Sequence, residues 1–442
     1  MARCTTPTLL GKWVKNRVGE VMRRIPLAVG VSLVALWTTA LLFLNAGHTR
    51  SETAATGAWT AAEWAKARRL SPLPPPPPSP TNALADNLQA ARLGHRLFFD
   101  PRLSPHRVSC ATCHQPERGF ADGLQVAETL APLHRHTMTL LNAGHYRWLT
   151  WDGARDSLWH QALGPFESPK EMGTSRLYVV RSAMRYYGRE LAQLAPLPGG
   201  WDSLWPVLPE TGKPGDASFD QLPAAHQDAV NQVFVLLLKC LEAYERRIVS
   251  AMSPFDRYVA GDETALSVAA RRGFQHFVRL QCDLCHTTPL FSDDEFHNLG
   301  VPSGAEPDPG RASGLPRLQQ SRFRGSGPYA DGPPVVRSED YRVGEALIGA
   351  FRTPSLREVG ETAPYGHNGA IATLDAWLEH YVRVTTSSQP TAIGRLDPTL
   401  APVEVTAQEK RELIAFLHAL SSDYASEWTQ TPPDVRDALS SK

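Results

Sequence analysis

LSPHRVSCATCHQPERGFADG, residues 103–123, contains the five-residue motif on which the reading of this chain turns. Two cysteines three positions apart are followed at once by a histidine: Cys110, Cys113 and His114. The motif returns as CDLCH at 282–286, with Cys282, Cys285 and His286. Two thiols at this spacing can add to the two vinyl groups of a haem, and the adjacent imidazole then ligates the iron from the proximal face. A structural zinc site needs four ligands and usually sets its CxxC pairs about 12–20 residues apart. Here most of a domain separates the pairs. A thioredoxin-type redox pair would want a βαβ setting, and the flanking sequence has none. Two covalently attached c-type haems are therefore expected. The other two of the six cysteines, Cys4 and Cys240, read as unligated thiols.

The rest of the chain fits an exported protein. It has 442 residues, enough for two or three domains, and 45 Lys+Arg against 45 Asp+Glu. With no basic surplus, nucleic acid is not an expected partner. Residues 1–24 form a basic head. The segment 25–48 has no charged side chain, and its stretch 25–46 reads as a transmembrane anchor or an uncleaved signal. This orientation puts everything downstream on the periplasmic side of a bacterial inner membrane. Residues 47–80 include SPLPPPPPSP at 71–80 and read as a stiff, solvated spacer.

Helical periodicity dominates the chain beyond residue 80. Val230, Val233, Phe234, Leu237, Leu238, Leu241, Tyr244 and Ile248 recur at helical spacing, and Leu413, Phe416, Leu417 and Leu420 repeat the pattern. Long Gly-, Pro- and Asp-rich stretches lie between, with little strand alternation. The expected class is mainly α, with two cytochrome c-like haem domains and long loops behind the membrane helix. Their expected bounds are 81–261 and 262–430, divided near Gly261, with a tail at 431–442.

Four stretches resemble the bacterial di-haem cytochrome c peroxidases, in the same order along the chain. They are LGHRLFFDPRLSPHRVSCATCHQPERGFADG at 93–123, LTWDGARDSLWHQALGPFESPKEMG at 149–173, CDLCHTTPLFSDDEFHNLGVP at 282–302 and FRTPSLREVGETAPYGHNGAIATLDAWLEHY at 351–381. Within that family the pattern is similar to the methylamine-utilisation, MauG-like branch. The resemblance implies that peroxide is handled at the N-terminal haem, opposite His114. It puts the proton-moving carboxylate at Glu171, with Gln161 lining the same pocket, and an inter-haem relay at Trp151. The usual C-terminal haem ligand of the peroxidases is a Met, whose position falls here on Tyr381, and the methylamine-utilisation relative also has a Tyr there. Neighbouring His380 points about 100° away on the same helix, and loop residue His367 is the other alternative ligand. Activation-dependent relatives cap the peroxide-binding iron with a His in the loop after the first motif. Here that loop, 126–138, is shorter, and its His134 and His136 lie beyond the capping position, so an open iron is expected.

The resemblance further implies a calcium ion between the haems, held by an Asn side chain and two backbone carbonyls. Thr362 and Pro364 bring the carbonyl segment. The Asn position falls on His136, and imidazole is a poor ligand for a hard cation, so the sequence leaves calcium open. Three function classes are compatible with these residues. The first is a peroxidase that draws electrons from a small c-type cytochrome and passes them from the C-terminal to the N-terminal haem. The second is oxidation of a protein or organic substrate through high-valent haems, and the third is a non-enzymatic electron carrier.

Overall fold

The sequence LQAARLGHRLFF forms the helix Leu88–Phe99, started by Asn87, whose side-chain oxygen accepts from Ala90 N at 2.9 Å. It crosses the long helix Ala224–Glu245, which is buried over most of its length from Val230 onward. The two backbones meet so closely that a Cβ on Gly94 would stand 1.9 Å from the Cys240 carbonyl oxygen. Any side chain there would force the two backbones apart. The second half repeats the device. Helix Val268–Arg279, capped by Ser267, crosses helix Ala407–His418, capped by Thr406 and Glu409. There Gly273 faces the Glu412 carbonyl oxygen, again at 1.9 Å from an added Cβ. In both halves the CxxCH motif comes after the first helix of the crossing, so each attachment site is hung from a rigid helix pair.

The computed structural model describes residues 57–195, 204–302, 306–337, 340–342, 344–386 and 393–440. The basic head and the apolar segment 25–46 lie outside the described residues. Among the described residues no helix is long and apolar enough to cross a membrane. The body is mainly helical, as expected. Its short antiparallel ladder pairs Phe296 with Arg352 and His297 with Phe351.

Each half has its own core. The first gathers Leu93, Leu97, Phe98, Trp159, Phe166 and Phe234, and the second Phe255, Phe274, Phe277, Phe291 and Phe416. The chain does not respect the expected boundaries, however. Residues 57–80 are not a free spacer. Thr60 and Glu63 form a capping box that starts the helix Ala61–Leu70. Trp59 buries itself against Phe274 and Tyr258, at 4.5 and 4.9 Å between ring centroids. Arg357 clamps Asp256 with two hydrogen bonds and reaches the Leu70 carbonyl at 3.2 Å.

The proline run then lies along the body rather than away from it. Having no N–H, its residues offer carbonyls, and His145 Nε2 donates to Pro74 O at 2.9 Å and Arg246 to Pro77 O at 2.8 Å. The division near Gly261 also shifts. Helix Pro254–Val259 places Phe255 and Tyr258 in the second core, so the change of core precedes Ser253. In return, Phe323, Tyr329, Tyr424 and Trp428 pack on the first core. The expected tail does too: helix Pro433–Ser440 buries Val435 there. Apolar side chains decide these boundaries, and they cross the midpoint of the sequence in both directions.

Candidate functional site

Both CxxCH motifs adopt the same local structure. A single 3-10 turn spans Cys110–Thr112 and Cys282–Leu284. The amides of His114 and His286 return to the carbonyls of Cys110 and Cys282, at 3.0 and 2.9 Å. Each imidazole donates its Nδ1–H to a backbone carbonyl, His114 to Phe120 at 3.0 Å and His286 to Phe291 at 2.9 Å. These two phenylalanines sit at φ +56° and +54°, a left-handed conformation uncommon for a bulky residue. It turns their carbonyls onto the rings while each side chain anchors a core. Burial lowers the pKa of both histidines. Neutral rings with Nδ1 committed leave an Nε2 lone pair for a metal. None of the four motif cysteines is in a disulfide. Thiols, imidazoles and apolar surroundings fit two c-type haems.

Beside the second motif lies a cavity with mostly apolar lining, which includes His286, Trp151, His367 and Tyr381. Burial raises the Tyr381 phenol, and the Cys282 and Cys285 thiols raise it further, while a hydrogen bond from Trp377 opposes them. His380, one residue earlier, turns away. It is buried, with Nε2 on Leu299 O at 2.8 Å and Nδ1 accepting from Arg383 at 2.9 Å. His367 stacks on Phe351 at 3.6 Å, and its Nδ1 has no hydrogen-bond partner among the described residues. Buried Arg352 likewise leaves Nε and Nη1 without a hydrogen bond, and its guanidinium lies over the Tyr146 ring at 3.5 Å. At the cavity wall His297 is held between Asp293 and Asp397, at 2.9 and 2.6 Å.

Trp151 is held from both ends. Its indole N–H donates to His136 O at 2.9 Å, and its carbonyl accepts from Arg352 N at 2.8 Å. The next residue, Asp152, is fully buried between Arg135 and Arg317. The segment then runs from the second site toward the first. Arg155 reaches the Gly164 backbone region, with a guanidinium nitrogen 3.7 Å from where a Cβ would stand, and acts electrostatically on Glu171.

Glu171 lies close enough to the first motif for its charge to act on both Cys110 and Cys113. Burial raises its pKa, opposed by a hydrogen bond with Ser168 and by the Arg155 charge. Gln161 sits three residues before Gly164 on helix Leu158–Glu167, on the face that Arg155 approaches. Glu171 and Arg155 thus converge near the first motif. Its loop is fastened down as well. Thr129 Oγ1 and the amides of Leu130 and Ala131 all donate to the Lys170 carbonyl.

These features agree with what sequence comparison finds. Residues 88–264 match the family model described as di-haem cytochrome c peroxidase. The methylamine utilization protein MauG of Methylorubrum extorquens is 34% identical over 342 residues, 76% of this chain and 78% of the relative. The chain belongs to the di-haem cytochrome c peroxidase family. Cytochrome-c peroxidase IdrP1 of Denitromonas iodatirespirans is 33% identical over 379 residues, covering 83% of this chain and 90% of that protein. Cytochrome c551 peroxidase of Pseudomonas aeruginosa is 31% identical over 337 residues, 75% and 79% of the two chains. Among solved structures, a MauG-like protein associated with microbial copper homeostasis aligns with a TM-score of 0.58 at 25% identity, covering 85% of this chain and 99% of that one. The di-haem peroxidase BthA of Burkholderia thailandensis shares the fold, with a TM-score of 0.56 at 22% identity and coverage of 83% and 92%.

Neither histidine of the 126–138 loop turns to the first motif. His134 is largely exposed, 4.0 Å from Asp308, and His136 is tied to Leu124 O at 2.8 Å. Thr362 and Pro364 both line the second cavity. The residues missed from sequence are Arg155, Arg352 and the Asp293–His297–Asp397 group. Arg155 and Arg352 stand inside the family-like stretches 149–173 and 351–381, where a basic residue in an otherwise apolar setting is the available signal. Asp397, about a hundred residues from its partner, leaves no local signal.

Proposed function

We propose that this protein is a di-haem peroxidase. It reduces hydrogen peroxide at the His114 site, with electrons taken up at the His286 site from a small c-type cytochrome or similar donor. The observation that carries this reading is the position of Glu171, a half-buried carboxyl close enough to the first motif for its charge to act on Cys110 and Cys113. An electron carrier has no use for such a group. Haem, when bound, supplies the iron at which the O–O bond is reduced. Cys110, Cys113 and His114 would hold one haem, and Cys282, Cys285 and His286 the other, with Tyr381 as its second ligand. Arg352, whose Nη1 is ion-paired with Asp294 at 3.6 Å but whose Nε and Nη1 make no hydrogen bond, keeps donors that suit an anionic haem propionate.

Glu171 does the proton work. With haem bound, its carboxylate would take a proton from the inner peroxide oxygen and return it to the outer one as the O–O bond breaks and water leaves. Two electrons from the donor, with two protons from solvent, would carry the inner oxygen to a second water. Arg155 holds Glu171 in place and favours its charged form, and Gln161 lines the same pocket. Trp151, fixed by His136 and Arg352, carries electrons between the two sites. Covalent haem attachment supports a periplasmic location, and the apolar sequence 25–46 supports an anchor in the inner membrane.

Tyr381 favours a second reading, oxidation of a protein or organic substrate. A phenolate is a hard anionic donor that stabilises oxidised iron, whereas a thioether stabilises the reduced form. The two are separated by mixing the purified, fully oxidised holoprotein with peroxide, with and without reduced cytochrome c. Stoichiometric cytochrome oxidation is expected. A long-lived oxidised spectrum that ignores the cytochrome would favour the second reading, and no response to peroxide would sink both.

A further inference from the structure

We infer that this chain needs no calcium between its two haem sites, because the side chain of His136 occupies the place of the ion. The decisive feature is where the ring lies. His136 is 6% exposed. Its Nδ1–H donates to the Leu124 carbonyl at 2.8 Å, and the ring lies close enough to the backbone of Thr362, one of the two carbonyl residues expected to hold the cation, for that backbone to act on it. Its own backbone continues the link. His136 N donates to His367 O at 2.8 Å, and His136 O accepts from the Trp151 indole at 2.9 Å. One residue thus joins the loop after the first motif, the Thr362 segment, the His367 loop and the inter-site tryptophan.

A calcium ion does not fit this arrangement. It takes about 6–8 oxygen ligands at 2.3–2.6 Å. The position that would bring an amide oxygen carries an imidazole instead, and that ring lies near the Thr362 backbone. The neighbouring carboxylate is committed as well: Asp122 accepts from Thr137 Oγ1 at 2.6 Å and from Leu124 N at 3.0 Å. To bind there, a cation would have to expel a buried ring and break its hydrogen bond to the Leu124 carbonyl. His136 is therefore a positioning residue that does through N–H donors what a cation does through its charge. It gathers carbonyls from separate segments and so fixes Trp151.

The test needs no variant to begin. Purified holoprotein is analysed for calcium, dialysed against a calcium chelator, and its haem spectra are compared before and after. Substoichiometric calcium and unchanged spectra are expected. Stoichiometric calcium whose removal alters either haem spectrum would overturn the inference. The variant His136→Asn, carrying both haems, supplies an amide oxygen and vacates the ring. It is expected to take up calcium stoichiometrically and to become spectrally sensitive to the chelator. A haem-loaded His136→Asn protein that stays calcium-free, with the wild-type spectrum, would show that the ring was not what filled the place.

Discussion

Replacing Glu171 by Gln keeps the shape of the side chain and removes its titrating proton. General acid–base catalysis contributes about 10²–10⁴-fold, which is about 2.7–5.4 kcal/mol of barrier at about 1.36 kcal/mol per decade. The group that acts on Glu171 from the side is Arg155, and a guanidinium cannot take a proton. To receive the peroxide proton, Glu171 must be ionised. Burial raises its pKa above the ordinary carboxylate value, so turnover should fall as pH drops through that raised value. This acid limb should disappear in Glu171→Gln. Stability should behave oppositely. A carboxyl whose folded pKa is raised adds stability at low pH and loses it as pH rises through the folded pKa, so near neutral pH the glutamine variant should melt no earlier than the parent. The assay is steady-state peroxide turnover with reduced cytochrome c across pH, with haem content and melting measured on the same samples. Wild-type turnover with the same acid limb, in a variant carrying both haems, would remove Glu171 from the mechanism.

Tyr381→Phe should change the spectrum and potential of one haem and leave the other as it was; if neither moves, His367→Ala is the next variant to examine. Because neither His134 nor His136 turns toward the first motif, the fully oxidised protein should show a high-spin ferric signal, and an entirely low-spin spectrum would contradict this. Trp59→Ala removes a large buried ring and should cost about 3–5 kcal/mol in a denaturant titration; an unchanged midpoint would restore the reading of 57–80 as a free spacer. Gly94→Ala places a methyl group against the Cys240 carbonyl and should cost about 1–3 kcal/mol by the same measurement, whereas substitution of Gly188, which has open space around it, should cost less.

The chemistry of this protein is written locally in the sequence. Cys-x-x-Cys-His is legible because covalent attachment demands two thiols and a ligand within one turn of chain. The long helices are legible because Val230 to Ile248 keep helical spacing. Glu171, Trp151 and Tyr381 could be named from their motifs, and the fold puts Glu171 by the first attachment site and the other two in the second cavity. The choice between Tyr381 and His380 comes from the helical angle between neighbours, which sends one into the cavity and the other onto the Leu299 carbonyl. The domain limits could not be read in this way. Trp59 belongs to a core built some two hundred residues later, and Val435 to one built much earlier, since a buried ring answers to its neighbours in space. The proline run looked free because nothing in its own composition shows that His145 and Arg246 will donate to it. His136 marks the limit most clearly. Sequence could say that it was the wrong residue for a calcium site, but only the folded chain, which carries Leu124, Thr362, His367 and Trp151 to one point, could decide what it does there instead. Spacing along the chain determines which atoms can react together, and packing across the chain determines which of them are held in place.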